Sequence, residues 1–505
     1  MFVKNSIVYS SLNFVNQILM FVQSIILRWL LPPQLMGVWN YVGVIQSFAS
    51  SFDLGTTTAV FRELPHMHGG QKAEEASRVV STSFWTQVGQ GLAISAIVIV
   101  YMLVYRSGDP YNYLFFVAAI LLSLSAAKDI LVTFFQSTNQ YIPLSRLLLI
   151  NGAVYFSLLP IGAYWGGVNG LMIAAIIANI IVLAVLYLGS QSRGVRIELR
   201  WESSIFRRHL SVGLPMRIVD YPFSISTMLD VLAVTRYGSI EALAIYSTAK
   251  AIAYSALEVP SRIGTVMITR INERAFTPEG RSAVAGDVRQ FLLVEYLLLF
   301  PLLICAVYNA LSTLVIVVIP KYSQAIPILQ VLLLILYFVP QTSLVRNYWI
   351  LDKRFVHLGV SNLVALAGMG LFIGIAVLIF KADPVYLAWA VVGGYVTQYV
   401  FIMYSVGSSL WGVRLASSTI LIALASACYV VVVLRIFGIM PEMSGNRQYA
   451  TFVYGATMSF VCMLPPIVLG VYLLSESHRS LVLNYIPYGQ KCATLMKRML
   501  PKSWK

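Results

Sequence analysis

The sequence predicts an all-α polytopic membrane protein with about 14 transmembrane helices, and two observations carry this prediction. Of the 505 residues, 58% are hydrophobic and only 11% are charged, whereas about a quarter of the residues in a soluble domain are charged. Apolar stretches long enough to cross roughly 30 Å of hydrocarbon as helices recur along the whole chain. Helices are favoured over a β-barrel because these stretches are continuous and do not alternate with polar residues.

Fourteen spans follow from the positions of these stretches. The first span is not expected to be a cleaved signal peptide, because it is long, contains Arg28, and has no small-residue cleavage site before Leu31. No loop is long enough to hold a soluble domain. The spans fall near residues 7–30, 37–61, 80–104, 112–135, 147–166, 169–189, 210–235, 241–269, 290–318, 323–348, 356–380, 384–406, 416–438 and 449–475.

The chain resembles itself at a distance of about 210 residues. Residues 136–141 match residues 350–355 at an offset of 214, and residues 35–39 match residues 242–246 at an offset of 207. Each match stands at the same place in the order of spans, which predicts two six-helix bundles related as parallel repeats. Chance similarity between apolar segments is the alternative explanation. The predicted divisions are an N-terminal bundle (1–200), a C-terminal bundle (201–410), two additional helices (411–475) and a basic cytoplasmic tail (476–505).

The basic residues predict the orientation of the chain in the membrane. If the amino terminus is cytoplasmic, 23 of the 35 Lys and Arg residues fall in inside segments, six fall outside and six lie within spans. Basic residues concentrate in cytoplasmic loops. The distribution therefore predicts a cell (inner) membrane protein with both termini in the cytoplasm, and it explains the net charge of +15 without nucleic acid as a partner.

No cofactor or metal site is expected from the sequence. His66 and His68 are close together, but no third ligand is near them, so a metal site there is a weak hypothesis. Gly69 and Gly70 indicate a turn, because no phosphate-binding Lys and Ser/Thr pattern follows them. The four cysteines show no paired spacing and predict no disulfide.

Several short motifs occur in order along the spans. They are Lys4–Asn–Ser–Ile, Ile26–Leu–Arg–Trp–Leu–Leu–Pro–Pro–Gln–Leu–Met–Gly–Val–Trp39, Phe52–Asp–Leu–Gly–Thr–Thr–Thr–Ala–Val–Phe–Arg62, Gly213–Leu–Pro215, Leu229–Asp–Val–Leu232, Gly238 and Ala244–Ile–Tyr246. Together they resemble the motifs of the polysaccharide transporter family of the multidrug, oligosaccharidyl-lipid and polysaccharide exporter superfamily. The family patterns are L-G-P-x-x-x-G-x-Y, then D-L-G and a helix-ending R, and in the second half G-L-P, I-D, L-G and V-G-x-Y. The chain departs from them at Pro32, Trp39 and Ala244, which leaves the branch of the family open.

The resemblance implies a flippase rather than an enzyme. Members of this family move isoprenoid-pyrophosphate-linked oligosaccharides from the cytoplasmic to the outer leaflet by alternating access, for O-antigen, capsule or exopolysaccharide biosynthesis. It implies a lipid-linked oligosaccharide as substrate, membrane lipids and polysaccharide polymerase machinery as partners, and a gate at Arg62, which matches the helix-ending arginine of the family. The positive-inside bias explains Arg62 equally well.

Ionisable residues within spans are the candidate site residues, because such groups usually face a cavity or a partner. A central cavity whose cations hold a pyrophosphate is one interpretation. Charge pairs that only fix helix packing are the other, and Arg28 could simply extend to the membrane surface. The basic candidates for substrate binding are Arg28, Lys128, Arg217, Lys250, Arg262 and Arg346; the acidic residues in spans are Asp53, Asp129, Asp220, Asp230, Glu258 and Glu295, of which the first five are candidates for ion coupling or charge pairing.

Helical spacing groups some of these charges. Lys250, Glu258 and Arg262 share one face of span eight, and Glu258 can pair with Arg262 at the i, i+4 spacing. In span seven, Arg217 and Asp220 share a face of a helix that prolines interrupt, as helices beside transporter sites often are.

Two other classes of protein remain as alternatives. An ion-coupled drug or metabolite exporter of the same superfamily would need an acidic site for organic cations, whereas acids and bases within the spans balance at six each. A membrane-embedded glycan polymerase or glycosyltransferase would need a catalytic loop with clustered carboxylates, and no loop is long enough.

Overall fold

The structure is a computed structural model, and it describes residues 2–68, 73–105, 112–192, 197–274, 278–437 and 457–473. These residues are almost entirely helical and contain no β-strand, as the sequence predicts. The predicted basic tail at 476–505 lies outside the described residues.

The helices follow one another with short connections throughout the described ranges. Two π-helical turns, Glu295–Leu299 and Met403–Gly407, and two 3₁₀ turns, Pro320–Tyr322 and Leu333–Tyr337, interrupt them. The α-helices are α1 (Phe2–Leu30), α2 (Pro33–Ser50), α3 (Thr56–His68), α4 (Ala73–Tyr105), α5 (Tyr113–Ser137), α6 (Tyr141–Gln191), α7 (Ser203–Tyr237), α8 (Ile240–Arg274), α9 (Pro278–Val294), α10 (Phe300–Val318), α11 (Ala325–Leu332), α12 (Val339–Leu351), α13 (Phe355–Phe380), α14 (Pro384–Ile402), α15 (Ser408–Trp411), α16 (Val413–Phe437) and α17 (Leu464–Leu473).

The chain is a multi-pass membrane protein. Nine helical segments of the described part are long and apolar enough to cross a bilayer. One of them, α6, has 51 residues and covers two predicted spans, because Gly167 takes φ 57° and ψ −140° and folds the helix back on itself. Gly162 and Gly170 then contact each other through their backbones on the two sides of this kink. The exact number of fourteen spans stays a prediction.

The second predicted span is not one continuous helix. α2 ends at Ser50 and α3 begins at Thr56, although the predicted span runs through this position. Proline at the first position of α2, Pro33, suits a helix start because its missing N–H would have no partner there. The break at 51–55 contains Asp53 and Gly55, residue types that favour turns. Polar side chains there make hydrogen bonds to backbone groups.

The predicted repeat is visible in two turns with the same backbone structure. Asn139 and Lys353, which are 214 residues apart, both have a left-handed backbone, with φ of 57° and 55°. The amides that follow them donate to carbonyls five residues earlier, Gln140 to Phe135 at 2.9 Å and Arg354 to Trp349 at 2.8 Å. A left-handed backbone is uncommon for residues other than glycine. Its recurrence at the predicted offset supports a common origin for the two segments.

The chain divides into two compact units, which are described separately. The first unit comprises residues 1–248, 318–322 and 365–390, and the second comprises residues 249–317, 323–364 and 391–505. A core of buried apolar residues from α3 to α7 lies in the first unit, and a cluster of buried aromatic side chains lies in the second. These include Val60, Leu64, Val79, Phe134, Leu144, Val182 and Ile205 in the first unit, and Tyr296, Phe300, Tyr337, Phe338 and Tyr399 in the second. The predicted domain boundaries stay a prediction.

Candidate functional site

Polar side chains close the break between α2 and α3. The Asp53 carboxylate accepts a hydrogen bond from the Gly55 amide at 3.0 Å, as in an Asx turn. Gln90 of α4 accepts from the Leu54 amide at 3.3 Å and donates to the Phe52 carbonyl at 3.1 Å. Backbone groups at membrane depth need such partners because lipid offers none. Asp53 and Gln90 therefore hold an opened segment of backbone in place within the first unit.

The same break brings α3 against α7 at two glycines. A Cβ atom on Gly55 would overlap the backbone of Gly213, and a Cβ atom on Gly213 would overlap the backbone of Gly55. Gly55 also has φ +76°, which glycine adopts at little cost. Both glycines belong to the motifs that resemble the transporter family, Asp53–Leu–Gly55 and Gly213–Leu–Pro215. Their role in this structure is close helix packing, which places the Asp53 turn beside α7.

Arg217, one turn after Gly213, reaches the Asp53 carboxylate. Its Nε lies 3.5 Å from Asp53 Oδ2, and the two side chains are 27% and 19% exposed. Tyr221 donates to the Asp53 carbonyl at 2.7 Å, and Gln87 donates to Asp53 Oδ1 at 3.2 Å. The ion pair is long, and the Nε–H group of Arg217 makes no hydrogen bond with the described residues.

A polar cavity of about 400 Å³ lies beside this pair in the first unit. Asp129 of α5 lines it, and within the described ranges its carboxylate makes no hydrogen bond or ion pair. Two carboxyl groups and one guanidinium therefore line the cavity, and the ammonium group of Lys128 interacts electrostatically with Asp129. The lining residues are Ser50, Asp53, Thr57, Gln87, Gln90, Gly91, Ile94, Leu122, Ser125, Ala126, Asp129, Val132, Thr133 and Arg217.

An apolar groove of about 420 Å³ adjoins this polar cavity and shares Gln90 and Ile94 with it. Two indole rings form part of its wall and are fixed by hydrogen bonds: Trp85 donates to the Glu198 carbonyl at 2.8 Å, and Trp201 donates to Thr86 Oγ1 at 3.1 Å. This groove was not predicted from the sequence, because residues 85 and 201 are brought together only by the packing of α4 against the segment that precedes α7. The remaining lining residues are Phe52, Leu54, Thr86, Gly89, Ala93 and Phe206.

Arg28 is buried near the end of α1, with only 4% of the residue exposed. Its Nε donates to Thr248 Oγ1 at 2.8 Å, and its Nη1 donates to the Ser24 carbonyl at 2.9 Å. No carboxylate of the described residues lies within ion-pair distance of it. Arg28 therefore does not extend to the membrane surface, and hydroxyl and carbonyl groups alone satisfy it.

In the second unit, α8 presents the predicted row of polar side chains. The Glu258–Arg262 ion pair is present at 3.3 Å, and both side chains are nearly half exposed. Lys250 Nζ lies 5.5 Å from the centre of the Tyr254 ring, within the range of a cation–π contact. The Tyr254 hydroxyl also meets the Tyr395 hydroxyl at 3.0 Å.

Two other predicted site residues have aromatic partners in the first unit. Lys128 Nζ lies 5.9 Å from the centre of the Tyr155 ring. Asp230 is buried and accepts a hydrogen bond from the Tyr246 hydroxyl at 2.7 Å. Asp230 therefore links α7 to α8, and its predicted role in ion coupling or charge pairing stays a prediction.

The remaining predicted residues differ in exposure. Asp220 and Arg346 are half-buried and Arg62 is exposed. Three of the six basic candidates, Arg28, Lys128 and Arg217, lie in the first unit, and the other three lie in the second. A single cationic chamber shared by all six stays a prediction. The side chains of His66 and His68 lie outside the described residues.

One polar cluster was missed by the sequence analysis. His209 is 1% exposed; its Nε2 lies 2.7 Å from Glu63 Oε2, and its Nδ1 lies 3.1 Å from Ser83 Oγ. Arg208 also contacts the Glu63 carboxylate. Burial alone would raise the pKa of Glu63, but the hydrogen bonds and charges of His209 and Arg208 outweigh it and hold that pKa below its ordinary value. A histidine at a span end, next to two arginines, was the available signal.

The sequence and structure of the chain were compared with those of known proteins. No curated protein sequence matches the chain. Among solved structures, the lipid II flippase MurJ in an inward closed conformation has a TM-score of 0.64 at 14% identity, covering 92% of this chain and 98% of that one. The eukaryotic MATE transporter AtDTX14 has a TM-score of 0.55 at 17% identity, covering 84% of this chain and 99% of that one.

At these identities the structural matches establish a shared fold. The sequence profile of the family described as polysaccharide biosynthesis protein matches residues 2–271, more than half of the chain. The matched region contains the Asp53 turn, the Gly55–Gly213 contact and Arg217. The chain is therefore a multi-pass membrane protein that belongs to the polysaccharide biosynthesis protein family.

Proposed function

We propose that the chain is a flippase that moves an isoprenoid-pyrophosphate-linked oligosaccharide from the cytoplasmic to the outer leaflet by alternating access. Membership of the polysaccharide biosynthesis family over residues 2–271 is the observation that carries this proposal. Polysaccharide precursors that are assembled on a lipid inside the cell must cross the membrane before they are used outside. A multi-pass protein of this family, with a fold similar to that of a lipid II flippase, suits that step.

The first unit offers features that suit an amphipathic substrate. Its polar cavity and its apolar groove share Gln90 and Ile94, so a polar group and an apolar chain of one molecule could occupy adjoining spaces. The Arg217 guanidinium lines the polar cavity and makes only a 3.5 Å contact with Asp53, so an anionic or sugar oxygen could compete for it.

The roles of the predicted residues follow from the proposal. The basic side chains contact the diphosphate or the sugars, the acidic side chains pair with them or carry a coupling ion, and Arg62 acts at the cytoplasmic gate. We place the protein in the cytoplasmic membrane with both termini inside, because of its basic-residue distribution. Membrane lipids and polysaccharide polymerase machinery are its proposed partners.

Deletion of the protein in its native host tests the proposal. A lipid-linked glycan should accumulate facing the cytoplasm, and re-expression should restore export. Arg217→Ala and Arg262→Ala should reduce export while the protein remains in the membrane. Arg236→Ala is a matched control, because Arg236 is exposed at the end of the same helix as Arg217. Normal export by both site variants at normal abundance would reject the cationic site.

A second candidate function, an ion-coupled exporter of drugs or metabolites, is favoured by one observation. The polar cavity is lined by the carboxyl groups of Asp53 and Asp129 as well as one guanidinium, and carboxyl groups could hold an organic cation. The fold similarity to a eukaryotic MATE transporter is consistent with it. If deletion left lipid-linked glycans unchanged but sensitised the host to lipophilic cations, this second function would replace the first.

A further inference from the structure

A buried carboxyl group, that of Glu295, lies in the second unit. Glu295 is 2% exposed and begins the π-helical turn between α9 and α10. π-Helical turns are rare in proteins overall, and those that occur are often found at functional sites. None of the interactions described above involves this residue.

Among the residues that the structure describes, Glu295 has one hydrogen-bond partner, the side-chain amide of Gln341 on α12. Gln341 Nε2 donates to Glu295 Oε2 at 2.7 Å. Glu295 Oε1 and Gln341 Oε1 are both buried, and neither has a hydrogen-bond partner among the described residues. Two orphaned oxygen atoms in one buried pair are costly, since buried polar atoms are almost always satisfied.

The groups around this pair are neutral. The Tyr296 and Tyr399 hydroxyls lie 2.8 Å apart, and Tyr337 and Ser426 are joined at 2.9 Å. Ser426 also donates to the Tyr296 carbonyl at 2.6 Å, within the π-helical turn. No lysine, arginine or histidine that the structure describes is within ion-pair distance of Glu295.

The charge state of Glu295 follows from these surroundings. An isolated carboxylate in an apolar interior is so unfavourable that the group takes up a proton instead. A proton on Oε1 converts an acceptor without a donor into a donor. Gln341 Oε1, in the same pair, is a buried acceptor that has no hydrogen-bond donor. One proton therefore resolves both orphaned atoms, which a charged Glu295 would leave unsatisfied.

We propose that Glu295 and Gln341 form a proton-binding site of the second unit, and that its proton is released and rebound during the transport cycle. The exchange is a simple acid dissociation: the O–H bond of the carboxylic acid breaks, the proton leaves to water, and the carboxylate remains until it is reprotonated. Release requires water or a cation to reach the carboxylate, so it is tied to a rearrangement of the π-helical turn. This goes beyond the proposed function, which names no coupling ion.

Infrared spectroscopy of the full-length protein in lipid nanodiscs tests the site without any substrate. The wild type should show the carbonyl band of a protonated carboxylic acid at neutral pH, and Glu295→Gln should lack it. Gln341→Leu should shift this band, because the acid loses its Nε2 donor. Glu202→Gln is the control: the Glu202 side chain is 23% exposed and forms an ion pair with Arg200 at 2.9 Å, so its replacement should leave the band unchanged. A band that persists in Glu295→Gln, or fails to move in Gln341→Leu, overturns the site.

The role of the proton is tested by export in the deletion strain. Glu295→Gln keeps the size and hydrogen bonding of the neutral acid, so the protein should reach normal abundance and yet lose export. Glu202→Gln should export normally. Normal export by Glu295→Gln would overturn the exchange of the proton. Failure of the flippase function would appear separately, as no accumulated lipid-linked glycan in the deletion strain, and would leave the infrared result intact.

Discussion

Gly55, the residue before α3, and Gly213 of α7 lie with their backbones in contact, and neither position has room for a Cβ atom. This contact sets the position of the Asp53 turn against α7, and therefore the reach of Arg217 to Asp53. The Asp53–Leu–Gly55 and Gly213–Leu–Pro215 motifs, whose glycines are 158 residues apart in the sequence, form one packing interaction.

Replacement of Gly213 by alanine should destabilise the protein, because the added methyl group meets backbone that cannot move aside. Overpacking of this kind costs about 1–3 kcal/mol, and the thermal midpoint of the purified protein should fall. Gly43→Ala in α2 is the control, since a Cβ atom there has no neighbour within 4 Å. Equal midpoints for the two variants would contradict a tight α3–α7 crossing.

The sequence predicted those parts of the fold that depend on local pattern. Apolar runs located the helices, and the offset of 214 residues located the paired turns at Asn139 and Lys353. The break after Ser50 was missed because the predicted span was drawn through the largely polar residues 50–58, and because the side chain that holds the break, Gln90, is distant in sequence. The Glu63–His209 and Glu295–Gln341 pairs were missed for the same reason: each joins residues on different helices, and no local pattern encodes the contact.

Arg217→Ala should reduce export without removing the protein from the membrane. A double-mutant cycle with Asp53→Asn separates the ion pair from the function. The interaction energy should lie at the lower end of the usual range of about 0.5–3 kcal/mol, because both side chains are partly exposed and the atoms are 3.5 Å apart. Thermal unfolding measures the cycle, and export measures the function. If the double variant exported normally while Arg217→Ala did not, Arg217 would serve only to neutralise Asp53.

Arg262→Ala should lower export but barely affect stability. The Glu258–Arg262 pair is nearly half exposed, and helical pairs of this spacing contribute only about 0.3–0.5 kcal/mol. Glu258→Gln removes the same ion pair while keeping the arginine. Export should therefore fall in Arg262→Ala and be kept in Glu258→Gln. Equal export defects in the two variants would assign the pair to packing rather than to substrate contact.

Acidification should weaken the contact between α3 and α7 at Glu63. The pKa of Glu63 is lower in the folded protein than its ordinary value, so its stabilising effect is full above the ordinary value and is lost as the pH falls through the folded one. The thermal midpoint of the wild type should fall over this acidic range, and Glu63→Gln should show a smaller fall. A pH dependence that is identical in the two proteins would exclude Glu63 as its source.

The buried Arg28 either contacts the substrate or only links helices, and variants of Thr248 and Arg28 separate the two roles. Thr248→Val removes the hydroxyl that accepts from Arg28 Nε and should cost about 1–3 kcal/mol by leaving a buried donor unsatisfied. Thr235→Val is a matched control, because Thr235 makes the same bond to the carbonyl four residues earlier, at 2.7 Å in both cases, and its hydroxyl does not contact Arg28.

Arg28→Met then separates the two roles. A methionine fills similar space without a buried charge, and such replacements are often neutral or stabilising. The thermal midpoint should therefore hold or rise. If Arg28 contacts the diphosphate, export should be lost in this stable variant, because methionine has no positive charge to bind the phosphate groups. Normal export by Arg28→Met would remove Arg28 from the substrate site and leave it as a link between α1 and α8.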